Sequence, residues 1–251
     1  MDAFYTRLQE FSLRIADRFP QPAFYDAHQE AIRRSEAALQ SHELVQHCRK
    51  FLDASLLECA HGLCHCESVA RDAGAIVLAE GERLGMDGDA VEPLFVAAIV
   101  AGLLHDIKRR ENDHAVKGSL EADRILSGTA MNEQHRGYVT YAIRNHEAFK
   151  ATCDLDDPAG CIVSDALYDA DKFRWGPENF TTTLWTIVSN NNTPARNLYD
   201  VFPEKMQGIE RIKNTFRTAT GRQYGPEIID QGITIGNAVY KEMGLLLRTG
   251  P

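Results

Sequence analysis

The sequence predicts an all-α protein, and three observations carry the prediction. Apolar residues recur at helical spacing in one window after another, and Pro or Gly breaks separate the windows. The strand-like patches, Leu184 to Val188 and Ile233 to Ile235, are too short and isolated to build a sheet. The 251 residues, 44% hydrophobic and 25% charged, suffice for one large domain or two small ones and exclude disorder and collagen-like repetition. Without an internal repeat or low-complexity linker, one compact domain over 1–251 is expected.

Each element has its own signal. Phe4, Leu8, Phe11 and Ile15 mark a first helix, stopped by Phe19-Pro20-Gln21-Pro22, where two prolines remove backbone donors. Helices are expected from Phe24 to Leu39 and from Leu44 to Leu57. From His61 to Leu84, Val69, Ala73, Ile76, Val77 and Leu84 share a stripe that leaves Arg71, Asp72, Glu80, Glu82 and Arg83 largely outside it. Gly85-Met86-Asp87-Gly88-Asp89 ends that helix and supplies carboxylates to cap the next. The following stretch, Ala90 to Ile107, is apolar all round and belongs at the centre of the fold. Shorter helices follow at Ala115 to Leu126, Gln134 to Phe149, Ala159 to Phe173 and Thr181 to Val188. Two more, from Pro203 to Thr218 and Pro226 to Leu247, complete the chain. The expected layout is a core over about 42–190, with N-terminal helices in 1–41 and C-terminal helices in 200–247 packed on it.

A net charge of -9 argues against the broad basic surface that a nucleic-acid polymer requires. A small anion stays possible, because a metal ion or a few local cations can hold one within an acidic protein. No apolar run approaches the roughly 18 residues of a membrane span, and Met1-Asp2-Ala3-Phe4-Tyr5 lacks the basic start and apolar stretch of a signal peptide. A soluble cytoplasmic protein with reduced cysteines is therefore expected.

Nine His and six Cys include the crowded run Cys59-Ala60-His61-Gly62-Leu63-Cys64-His65-Cys66. The more informative pair is His105-Asp106, directly after the all-apolar helix. A carboxylate there is costly without a neutralising partner, and a divalent metal is a natural partner for imidazole and carboxylate together. The alternative is an ordinary polar helix end.

The order His65, His105-Asp106 and Asp169-Ala170-Asp171-Lys172, with Val69 four residues after the first His, resembles the HD-domain superfamily of metal-dependent phosphohydrolases. The resemblance spans about Ala60 to Trp175. It implies a divalent metal (Mn, Mg, Fe, Co, Ni or Zn), and in some members a second, held by His65, His105, Asp106 and Asp171, with Asp169 and then Asp165 as alternatives for the last ligand. Lys172 resembles a phosphate-contacting Lys, where a cation offsets charge building on the phosphoryl group. His114 and His146 fall where members place second-metal ligands, general acids or phosphate contacts. Solvated or capping histidines are the alternative for both. Glu147 is a candidate to orient His146. Arg109 is expected to contact substrate phosphate or to complement the helix dipole, and His61 to contact substrate or support the site.

A separate zinc site at His61, Cys64 and His65 lacks a fourth ligand, so Cys59, Cys64 and Cys66 are expected to fill the core. Trp175 and Trp185 are expected in the core or a pocket wall. The basic stretch Lys205, Arg211, Lys213, Arg217 and Arg222 reads as a solvated helix face, with an anion site as the alternative.

The implied activity is hydrolysis of a phosphate ester or anhydride of a small molecule, in particular a nucleotide, by metal-activated water. Asp106 is also the candidate to accept the water proton, and His114 or His146 to protonate the leaving oxygen. A homo-oligomer is compatible with this. Two alternatives stand beside it. One is a di-iron oxygenase, the site of another branch of the superfamily, using His65, His105, Asp106, His114 or His135, His146 and Asp171. The other is a catalytically degenerate nucleotide sensor.

Overall fold

Twelve α-helices succeed one another through the described residues of the computed structural model, which are 3–52, 62–153 and 155–249. The protein is 76% helical, with no strand among these residues. The first helix, α1 (Ala3–Ala16), buries Tyr5, Leu8 and Ser12. The predicted helix from Phe24 to Leu39 is two, α2 (Ala23–Ala27) and α3 (Gln29–Ser41), because His28 leaves helical geometry at φ -117 while its ring packs against Phe24 and Tyr224. α4 (Glu43–Arg49) is shorter than expected, and positions 53–57 of that prediction lie outside the described residues.

The centre is formed by α5 (Leu63–Arg83) and α6 (Gly88–Leu104). Asp87 caps α6 by accepting a hydrogen bond from the Ala90 amide at 2.7 Å. Every residue from Leu94 to Leu104 is buried, so no face of the second half of α6 meets water. Around it stand α3, α4, α5, α8 (Glu133–Arg144) and α9 (Pro158–Phe173), while α7 (His114–Leu126) packs on α8. A Cβ placed on Gly102 would lie 2.4 Å from the Ala70 Cα. Glycine is therefore what lets α5 and α6 touch backbone to backbone.

A π-helical turn (Asn179–Thr183) leads into α10 (Leu184–Asn190), so one strand-like patch is helical, and the other lies inside α12 (Ala219–Thr249). The predicted starts at Pro203 and Pro226 fall inside α11 (Ala195–Ile212) and α12, each proline costing its helix one backbone bond. α12 begins earlier because core carboxylates receive its first amides. Asp169 accepts from the Arg217 and Thr218 amides, both at 2.8 Å, and from the Thr218 hydroxyl at 2.7 Å. Glu80 accepts from the amide and hydroxyl of Thr220, both at 2.7 Å. Negative charge there also complements the helix dipole. α12 packs on α1, α5, α9 and α11, and one buried apolar cluster runs from Tyr5 to Leu246. Among the described residues no helix is long and apolar enough to cross a membrane.

Candidate metal centre

Five helix ends, the starts of α5 and α7 and the ends of α6, α8 and α9, converge on a buried cluster of imidazoles and carboxylates. His65 lies in the first turn of α5, His105 follows the last residue of α6, and Asp171 lies in the last turn of α9. The Gly102–Ala70 contact sits one turn from His105, and it brings the Nε2 atoms of His65 and His105 to 3.2 Å. Asp171 Oδ1 is 3.5 Å from His65 Nε2 and 3.8 Å from His105 Nε2. Asp106 Oδ2 is 3.5 Å from His105 Nε2 and 4.0 Å from His65 Nε2.

The other Asp106 oxygen faces a second group. Oδ1 lies 3.5 Å from His114 Nε2 and 3.6 Å from His146 Nε2, and those two nitrogens are 3.3 Å apart. Asp113, at φ 55, turns the chain left-handed just before α7, a conformation Asp tolerates better than most residues, and so returns His114 to the cluster. Donors bound to one ion at about 2.1 Å stand roughly 3 to 3.4 Å from each other, close to several of these separations. The cluster could hold a metal ion.

The nitrogen chemistry fits as well. His105 Nδ1 donates to the Gly102 carbonyl at 2.8 Å and His146 Nδ1 to the Ile143 carbonyl at 2.6 Å, which leaves each Nε2 with a lone pair facing inward. Arg109, which can only donate, places Nη1 2.9 Å from His114 Nε2, so that nitrogen also accepts. Burial pushes His105 and His114 below the usual histidine range, against the opposing pull of Asp106, and so favours neutral imidazole. For Asp171, burial raises the carboxyl, but Lys172 and the surrounding histidines outweigh it and hold it well below the usual range.

The carboxylates in Asp165-Ala166-Leu167-Tyr168-Asp169-Ala170-Asp171 separate by face. Asp171 reaches the cluster, whereas Asp169 is occupied by the start of α12, and burial pushes its carboxyl up to about 6. Asp165 lies 3.9 Å from Arg217. Lys172 is almost wholly buried, its Nζ donating to Asp171 Oδ2 at 2.5 Å and to the His146 carbonyl at 2.9 Å. The sequence resemblance points this lysine toward a substrate phosphate, and neither of these two partners is phosphate.

Several expectations need correction. α8 ends at Arg144, not Phe149, because Asn145 exchanges hydrogen bonds with the Cys153 backbone and Arg217 donates to the Asn145 carbonyl at 3.2 Å. The Ile143 carbonyl, not Glu147, receives the His146 Nδ1 hydrogen bond. His135 belongs to neither donor group, its ring packing edge-on to Tyr138 at 5.6 Å. Cys66 is buried, as core filling requires, but Cys64 is exposed because it faces away from the stripe. His61 and Cys59 lie outside the described residues. Trp185 is buried, and Trp175 lines a cleft.

That cleft, of about 1330 Å³, opens from His65, Asp106, His146 and Asp171 past Arg109 and Lys172 toward α10 and α11. Lys205 and Arg211, read as part of a solvated face, also line it. No protein-family model, curated protein or solved structure matches the chain.

Proposed function

We propose that the chain is a metal-dependent phosphohydrolase of HD type, acting on a phosphate ester or anhydride of a small molecule. The observation that carries this reading is Asp106, whose two oxygens face two imidazole groups at the floor of a cleft. His65, His105, Asp106 and Asp171 would hold one divalent ion, and Asp106, His114 and His146 a second. Such ions supply Lewis acidity toward a phosphoryl oxygen and make water nucleophilic near neutral pH.

The protein's own residues do the rest. Arg109, on the cleft side of the cluster, orients the phosphoryl group. Lys172 positions Asp171 and the His146 segment through its two hydrogen bonds. The inward lone pair of His146 favours ligation over proton donation to the leaving group, and the His114 lone pair, which accepts from Arg109, would be released for an ion as Arg109 turns to the phosphoryl group. The buried floor limits water to the open side of the cleft.

The test is phosphate release by metal-reconstituted protein from phosphomonoesters and nucleotides. His105→Ala and Asp171→Ala are expected to lose about a hundredfold or more of the metal-dependent rate. Full activity in both variants contradicts the reading. A coupled di-iron spectrum without any phosphate release turns it toward an oxygenase, in which the same six side chains would hold two irons that use dioxygen as the oxidant.

A further inference from the structure

The walls of the cleft differ from its floor. Beyond Arg109 they are built from Leu184, Ile187 and Val188 of α10 and Leu198, Val201 and Phe202 of α11. Of the ten large hydrophobic side chains exposed among the described residues, four line this cleft, namely Phe149, Trp175, Ile187 and Val201. Exposed apolar groups gathered at one concave site mark a place where something apolar binds.

Phe149 adds an independent observation. It stands on the rim at φ 61, a left-handed conformation that is strained for a bulky residue, with 58% of its surface exposed and the Arg211 guanidinium 4.8 Å from its ring centre. Strain of this kind tends to be kept where a side chain serves a ligand.

Charge points the same way. Lys172 is committed to Asp171, and Arg174 to Asp72 and Glu178. Lys205 and Arg211 neighbour Glu204 and Glu210 in the same wall. Beyond Arg109 the cleft therefore carries little net positive charge for a polyphosphate tail, while its volume exceeds the roughly 300 to 1,000 Å³ of ordinary small-molecule sites.

We propose that the substrate is a phosphate monoester whose leaving alcohol is extended and apolar. This rests on the phosphohydrolase reading. The phosphate sits at the buried cluster beside Arg109, and the alcohol lies along α10 and α11 with Phe149 closing over it. In the hydrolysis the water oxygen bonds to phosphorus as the bond from phosphorus to the alcohol oxygen breaks. One water proton passes to that oxygen, giving inorganic phosphate and the free alcohol.

The experiment measures, by calorimetry on metal-loaded protein, binding of the alkylphosphonates from ethyl to decyl, alongside hydrolysis of the matching alkyl phosphates and of nucleoside monophosphates. Affinity is expected to rise about fourfold per methylene until the chain fills the cleft. Phe149→Gly, which suits the left-handed backbone and should fold at least as stably, is expected to narrow the decyl-to-ethyl ratio about tenfold. Ile187→Asp should flatten the same series. Phosphate release with no dependence on chain length, or with nucleoside monophosphates preferred, overturns the inference and leaves the phosphohydrolase reading standing. No phosphate release from any ester with metal present overturns both.

Discussion

Lys172 is only 3% exposed, and burying an ammonium group is costly unless its charge and donors are met. Here they are met by Asp171 Oδ2 and the His146 carbonyl, with the Tyr168 ring centre 4.7 Å away. Removing the cation therefore acts at once on two segments that carry proposed metal ligands. Lys172→Met should raise the Asp171 carboxyl and weaken metal affinity by about 10 to 100-fold, measured by competition with a chelator. Unchanged metal affinity with a raised KM would instead make Lys172 a substrate contact. Adjacency to Asp171 made this residue visible in the sequence. Its partner 26 positions away did not show, because nothing local fixes where a long side chain ends. The choice among Asp165, Asp169 and Asp171 was open for a related reason. All three lie on one helix, and which of its faces meets the cluster and which meets α12 is fixed only by packing between distant segments.

Helix α6 was the most legible element, since an uninterrupted apolar run can only be central and its polar end must then be accommodated. Its fit to α5 was less so. Gly102 looks like one more small residue in the run, yet it carries the contact that aligns His65 with His105. Gly102→Ala should force the two helices apart, destabilising the protein by about 1 to 3 kcal/mol in chemical denaturation and weakening metal binding with it. Unaltered stability and affinity would show that the helices have slack at this point. The start of α12 was hidden for a different cause, because its capping carboxylates come from α5 and α9. Burial raises Glu80, but hydrogen bonds from Thr220 and Arg83 outweigh it and leave the carboxyl lowered. Its stabilising contribution is thus present above about pH 4.5 and is lost as pH falls through the lowered folded value. Glu80→Ala should cost about 1 to 2 kcal/mol near neutral pH, and the gap to the parent protein should close on acidification. A gap independent of pH would exclude the carboxylate as the cause.

At the scale of the whole molecule, the terminal helices do more than cover a core. α1 and α11 both pack on α12, which in turn packs on α5 and α9, and α11 thereby becomes one wall of the cleft that leads to the buried cluster. A helix in this region was legible, though not its start at Ala195, and the cleft it completes depends on packing between segments far apart in the chain. The acidic balance of -9 is consistent with a site that draws on carboxylates to hold cations. If Asp106 joins two metal groups as proposed, metal content after equilibration with a divalent ion and removal of the excess is the most direct measurement of it. The parent protein is expected to retain two ions per chain, His146→Ala one, and Asp106→Ala less than one. Asp106→Ala protein that keeps the parent's full metal content would contradict the account.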